Sequence, residues 1–263
     1  MSSYLVAGAA RGIGLEFVNQ LSAEPSNTVF ALVRNKSTAT HLAKLPGKNI
    51  TVVEADIADP AALAAAATQV SAVTGGKLDY LIISAALLRM TGPSLTNPSS
   101  PEDLEKDLLE TLKVNAVGPA HTTNAFLPLL RKGSAKKVVV LSSGAGDVDF
   151  VLKAGLGESV GYAVSKAALN MVVAKYAVQL KPEGFVFLAL SPGVVNTFAT
   201  SDAPPPPAEL IQGMMKAFTS VDPNFKGPIS PEDSVKMQLE VIHRWTIEDS
   251  GAFVSHHGNK DWF

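Results

Sequence analysis

Short, almost purely apolar runs recur along the chain, separated by stretches in which apolar residues return every three or four positions. Leu5–Ala7, Thr28–Val33, Ile50–Ala55, Leu78–Ile83, Lys137–Leu141, Phe185–Leu190 and Ala252–Ser255 are rich in β-branched, aromatic and other apolar residues and read as strands. Ile13, Phe17 and Leu21 mark one face of a helix after the first strand. Asp59-Pro60, Ser100-Pro101-Glu102-Asp103 and Ser230-Pro231-Glu232-Asp233 each set a capping side chain before a proline, the signature of a helix start. The helix opened at Ser100 runs towards Leu130, and Gly118-Pro119 is predicted to disturb its middle. A further helix is predicted over Tyr162–Leu180. Strands that are apolar throughout, alternating with helices, imply a parallel sheet covered on both faces. No linker or repeat divides residues 1–263, so the chain reads as one domain. Phe198–Ile229 carries few strand signals, and the proline run Pro204–Pro207 inside it is predicted to stiffen a loop over the site.

Composition narrows the functional classes. At 263 residues and 46% hydrophobic, the chain can bury the core of a large α/β domain. A net charge of -2 gives no basic bias, so nucleic acid is not an expected partner. Cysteine is absent, which removes disulfides, thiolate chemistry and Cys-ligated metals and suits a cytoplasmic protein. No signal peptide is recognisable, and Pro60–Val73, the most apolar long window, is too short to span a bilayer. No metal is expected: His256 and His257 would point to opposite faces of a strand, and His41, His121 and His243 are isolated.

Candidate chemistry gathers at three places. Gly8-Ala9-Ala10-Arg11-Gly12-Ile13-Gly14 joins the first strand to the first helix. Glycines there let the backbone turn tightly and approach a pyrophosphate at the helix N-terminus. The second strand ends in Val33-Arg34, where an acidic residue would bind a ribose 2′-hydroxyl. Arg34 and Arg11 instead suit a 2′-phosphate, which points to NADP(H). Tyr162 and Lys166 are four apart and stack on one helix face. An ammonium ~4 Å from a phenol lowers the phenol pKa by roughly three units at an effective dielectric of ~20, enough for general acid–base work.

With Asp56-Ile57 after the third strand, Val114-Asn115-Ala116-Val117-Gly118-Pro119, Ser142-Ser143 ending the fifth strand, Pro192-Gly193 followed by Thr197, and Ser250-Gly251-Ala252-Phe253, these motifs stand in an order that resembles the short-chain dehydrogenase/reductase family over nearly the whole chain. The nearest resemblance is to small carbonyl reductases of the sniffer and C-factor type. It implies a Rossmann-like, doubly wound parallel sheet of about seven strands flanked by helices. It further implies that Tyr162 donates a proton and that Ser143 binds the substrate carbonyl. Lys166 would hold the nicotinamide ribose and acidify the phenol, and Asn115 would keep a water behind Lys166. By the same resemblance Gly8, Arg11, Gly12, Ile13, Gly14, Arg34, Asp56, Ile57, Ser84 and Ala85 hold the adenosine and pyrophosphate half of NADP(H). Pro192, Gly193, Val195 and Thr197 would meet the nicotinamide end, together with Asn115, Tyr162 and Lys166. A lid is implied at 198–229, and pairing into a homodimer or homotetramer through the long helices. From residue chemistry alone, either Ser142 or Ser143 could serve as the donor; family position selects Ser143.

Three departures qualify the match. Ala7 stands where the family usually has Thr, and Ile83-Ser84-Ala85-Ala86 replaces its Asn-Asn-Ala-Gly, so cofactor binding is expected to survive in weakened form. Ser143 and Tyr162 are also further apart than usual, with 147–158 predicted as an inserted loop. The expected function is NADPH-dependent reduction of a ketone or aldehyde of a small, apolar metabolite. The competing readings are a reductase-derived enzyme with non-redox chemistry and a catalytically idle NADP-binding regulator.

Overall fold

The computed structural model describes residues 1–201 and 207–263. Most of the proline run, Pro204 to Pro206, therefore lies outside the described residues, and Pro207 stands directly before a helix. Seven strands form one parallel sheet: β1 Ser3–Ala7, β2 Thr28–Val33, β3 Ile50–Glu54, β4 Tyr80–Ile83, β5 Lys137–Leu141, β6 Val186–Ser191 and β7 Ala252–Ser255. Their order is β3-β2-β1-β4-β5-β6-β7, so the winding direction reverses between β1 and β4. In such sheets ligands bind beyond the carboxyl ends of the strands at that reversal.

The described residues form eight α-helices, most of them packed on the sheet: α1 Gly12–Ser22, α2 Pro60–Thr74, α3 Pro101–Leu112, α4 Gly118–Leu130, α5 Val148–Ala154, α6 Val160–Leu180, α7 Ala208–Val221 and α8 Pro231–Arg244. Alternate strand residues feed two cores. Leu5, Leu81, Val138 and Phe187 meet α2, α4 and α6 on one face. Tyr4, Ile82, Val139 and Leu188 meet α1 and α8 on the other. The predicted caps are present: Asp59 accepts from Ala61 and Ala62, Ser100 from Asp103, and Ser230 from Asp233. None of the helices among the described residues is long and apolar enough to cross a membrane.

Three local expectations change. Residues 147–158 contain the helix α5, capped by Asp147 and closed by left-handed Gly155, rather than an unstructured loop. β4 starts at Tyr80, because Leu78 gives its N–H to the Leu129 carbonyl at the end of α4. The expected break at Gly118-Pro119 is a π-helical turn over Lys113–Val117 that leads into α4. Pro119 has no N–H to return to the Asn115 carbonyl, so the regular ladder cannot pass this point.

A Cβ on Gly14 would lie 2.2 Å from the Gly8 carbonyl oxygen. Gly14→Ala is therefore expected to destabilise the protein by about 1–3 kcal/mol, although alanine normally favours a helix over glycine. Urea denaturation checks the sign: a gain in stability contradicts the close packing of this turn.

Candidate active site and cofactor cleft

A cleft of about 730 Å³ opens at the β1/β4 reversal. Its walls come from the turns after β1, β2, β3 and β4 and from the end of α3. Gly8 makes the reversal compact. Its φ is +85°, and a Cβ there would lie 2.5 Å from the Ala85 backbone nitrogen. The Ala7 carbonyl accepts from both Ser84 (2.8 Å) and Ala85 (3.0 Å), so the altered Ser84-Ala85 segment still joins β1 through its backbone.

Gly8, Arg11, Arg34, Asp56, Ile57, Ser84 and Ala85 line this cleft together. The Asp56 carboxylate accepts from the Ala58 N–H at 2.9 Å, which fixes its turn. The Ile57 side chain is buried and packs towards Gly118. Gly12, Ile13 and Gly14 open α1 beside the cleft, with Ile13 packed into the core on that face. Thr38, His41 and Thr200 also line the cleft and were not anticipated. Thr38 and His41 fall in an irregular connection after β2, and Thr200 is distant in sequence, so no periodicity marks them.

Past the end of β6, Pro192, Gly193, Val195 and Thr197 follow one another along a single segment. Ser234 donates to the Pro192 carbonyl at 2.7 Å, and Gln238 donates in turn to Ser234 at 2.9 Å. Gly193, with φ +79°, leaves room for the His256 ring, which would meet a Cβ at 2.7 Å. Val195 bridges to Ile229, and the Thr197 methyl lies 3.3 Å from where a Gly12 Cβ would stand. His256 corrects an expectation. It and His257 do not point apart; their rings lie 3.9 Å apart, because β7 ends at Ser255 and the chain turns. Burial, then the neighbouring His257, pulls His256 down to about 4.

The chemical group sits at the carboxyl end of β5. Ser142 and Ser143 diverge, as successive residues of extended chain must. Ser142 is buried and donates to the Asn170 side chain at 2.6 Å. Ser143 hydrogen-bonds the Tyr162 phenol and accepts from the Ala145 N–H at 3.2 Å. Tyr162 and Lys166 lie on the first two turns of α6, with the Lys166 ammonium 5.5 Å from the phenol ring centroid. Lys166 is buried and donates to the Leu141 carbonyl at 2.6 Å. Burial pushes the Tyr162 phenol above its ordinary value, and Ser143 draws it partly back. The expected acidification by Lys166 is therefore not found here. Burial instead lowers Lys166 itself to about 7. The Asn115 side chain is buried and engaged with neighbouring segments. Its amide nitrogen donates to the Leu87 carbonyl (2.8 Å) and to Ser165 (2.9 Å), and its oxygen accepts from the Leu87 N–H (2.7 Å).

An aromatic wall stands beside these groups. Phe150 of α5, Phe218 of α7 and Trp262 form a third apolar cluster, with Met214, Phe225 and Phe263 packed on it. A Cβ on Gly144, next to Ser143, would touch Trp262 and Phe150 at 3.3–3.4 Å. Phe198, by contrast, is 47% exposed, which leaves it outside this packing.

Comparison with known proteins agrees with this architecture. The family model described as short chain dehydrogenase matches residues 3–207. The short-chain dehydrogenase/reductase AacuF of Aspergillus aculeatus is 46% identical, with all of both chains covered. The short chain dehydrogenase virK of Hypocrea virens is 43% identical, again over the full length of both. Among solved structures, an NADPH-bound carbonyl reductase from chicken fatty liver superposes with a TM-score of 0.79 at 30% identity, covering 98% of each chain. The carbonyl reductase Sniffer of D. melanogaster gives 0.79 at 25% identity, also covering 98% of each.

The Lys166 environment has a measurable consequence. The folded protein releases this proton near pH 7, whereas the unfolded chain keeps it to about 10.5. Between those limits the unfolded state binds more protons, so stability rises with pH. Lys166→Met is expected to flatten that rise in urea unfolding at pH 7, 8 and 9; parallel curves for wild type and variant contradict the assignment.

Proposed function

The chain belongs to the short chain dehydrogenase family, and on that premise we propose that it is an NADP(H)-dependent oxidoreductase of the cytoplasm that reduces a ketone or aldehyde of a small, apolar metabolite. The observation that carries this reading is the Ser143–Tyr162 pair beside buried Lys166 at the end of β5, in a chain whose sheet reversal also opens a cleft lined by Arg11 and Arg34.

The cleft fits the dinucleotide in shape and charge. Its turn is compact because Gly8 and Gly14 carry no Cβ, and a glycine turn of this kind at a helix N-terminus suits a pyrophosphate. Arg34 and Arg11 lie on the same cleft, where guanidinium groups suit the 2′-phosphate. NADPH, when bound, supplies the hydride that adds to the carbonyl carbon. The chain supplies the rest. Ser143 and Tyr162 direct hydroxyl protons at the carbonyl oxygen, where negative charge develops. A phenol held above its ordinary value is protonated at neutral pH, which is the form that donates. Tyr162 passes its proton to that oxygen and completes the alcohol. The protonated form of Lys166 stabilises the phenolate left behind, and its pKa of about 7 lets it return a proton. The Phe150–Trp262 wall beside Gly144 supports an apolar substrate.

We also propose that the chain pairs with a second copy. Leu109, Val117, Val164, Met171 and Val178 expose apolar side chains along α3, the π-turn and α6. Sedimentation is expected to give twice the 27.5 kDa of one chain, and Met171→Lys with Val178→Lys to return it to monomer.

Turnover of NADPH with a panel of aldehydes and ketones tests the chemistry. Tyr162→Phe is expected to lower kcat by about 10²–10⁴-fold without altering NADPH binding. Arg34→Glu is expected to raise the KM for NADPH at least about tenfold, with little change for NADH. Turnover by Tyr162→Phe at the wild-type rate removes the tyrosine mechanism, and absence of turnover with every carbonyl removes the reductase reading.

A further inference from the structure

Helix α1 begins without a side-chain cap from its own flank: Arg11, at the capping position, makes no such bond. The Gly12 N–H instead finds its acceptor far along the chain. Thr200 Oγ1 lies 2.8 Å from the Gly12 nitrogen. Thr200 closes the short 3₁₀ turn Phe198–Thr200 after β6, and Thr197, just before that turn, packs on Gly12 through its methyl group. This turn therefore rests on the glycine turn, and Thr200 forms part of the cleft wall with Gly8, Ala10 and Arg11.

A hydroxyl has one proton to give and two lone pairs to offer. One lone pair of Thr200 is taken by the Gly12 N–H. The Thr197 carbonyl, 3.5 Å away, is at the limit of hydrogen bonding and holds the proton weakly. A hydroxyl that accepts from a helix N-terminal N–H is polarised towards donation. Resting on the reading of this cleft as the NADP(H) site, we propose that Thr200 is a cofactor-binding residue whose hydroxyl carries the Gly12 N–H onward as an O–H donor to a pyrophosphate oxygen of NADP(H). The arrangement gives the pyrophosphate a donor from the opposite side of the sheet reversal, from the segment that follows β6. It also adds a polar group to a cleft in which Ala7 and Ile83 stand where the family usually has polar residues, through a residue that lies outside the glycine turn.

The test is direct binding to the purified protein. NADPH is titrated by fluorescence, and adenosine 2′-monophosphate, which lacks the pyrophosphate, is titrated by calorimetry. Thr200→Val keeps the shape and removes the hydroxyl; Thr200→Ser keeps the hydroxyl. Thr200→Val is expected to weaken NADPH at least about tenfold, the loss of one hydrogen bond to a charged group, and to leave adenosine 2′-monophosphate unchanged. Thr200→Ser is expected to bind NADPH within about twofold of wild type, since it retains the donor. Equal NADPH affinity in Thr200→Val overturns the proposal. So does tighter binding, which would mean that the hydroxyl competes with the phosphate, and so does a parallel loss for both ligands, which would mean general damage to the cleft. A failure of Thr200→Ser to bind overturns it as well, and that arm stands if the valine variant does not fold. Wild-type protein that does not bind NADPH removes the cofactor reading itself, whereas wild-type binding with an indifferent Thr200→Val removes only the role of Thr200.

Discussion

The buried amide of Asn115 holds the cleft wall and the helix that carries Tyr162 and Lys166 in one frame. It makes paired hydrogen bonds with the Leu87 backbone, beyond β4, and a third with Ser165 on α6. Ser165 passes the connection on, donating to the Tyr162 carbonyl at 2.7 Å. One side chain thus fixes the distance between the segment that walls the cleft and the helix that carries the tyrosine. The π-turn is what aims it inward: a regular helix through Gly118-Pro119 would rotate Asn115 differently about the axis. A neighbouring set of contacts reinforces the same junction. Arg89 pairs with buried Asp107 (3.1 Å) and with Glu110, and Ser159 donates to the Met90 carbonyl at 3.2 Å. Asp107 fits between Gly92 and Gly161 because neither carries a Cβ.

Tension between burial and charge then sets the chemical state of the site. Lys166 is taken out of water, and desolvation favours its neutral form. The Leu141 carbonyl is a single compensating acceptor, one partner for a group with three protons. The same burial keeps the Tyr162 proton in place. The two residues therefore respond to one environment in opposite directions, with the phenol more reluctant to lose a proton and the ammonium more willing. That is a poised pair whose balance shifts when an anion or a polar ligand enters beside it.

Legibility from sequence followed the locality of each signal. The strands were visible because both sheet faces are covered and the runs are apolar throughout. Helix starts at Asp59, Ser100 and Ser230 were visible because capping is a contact within four residues. Helix α5 had the same kind of bracket, Asp147 before it and Gly155 after it, but its seven residues are too few to show a period. Spacing marks Tyr162 and Lys166, and the family resemblance adds Asn115 and Ser143. Their partners carry no such mark. Leu141 as the acceptor for Lys166, Leu87 as the mate of Asn115 and Gly12 as the donor to Thr200 are all long-range backbone contacts. Backbone groups carry no signature in a sequence. The close approach of the tilted His256 and His257 rings has no local signature either, because it depends on the chain turning after Ser255.

The aromatic cluster around Phe150, Phe218 and Trp262 is separate from both cores that hold the sheet. Phe253 is a point of contact between them, packed partly against the α6-side core and partly against the cluster, and stacked 4.7 Å from Trp262. The apolar packing of the protein is thus divided between the cores of the sheet and a satellite cluster. Substitutions inside it should add to, rather than multiply, those in the sheet. Variation in this aromatic wall can therefore leave the packing of the sheet largely untouched.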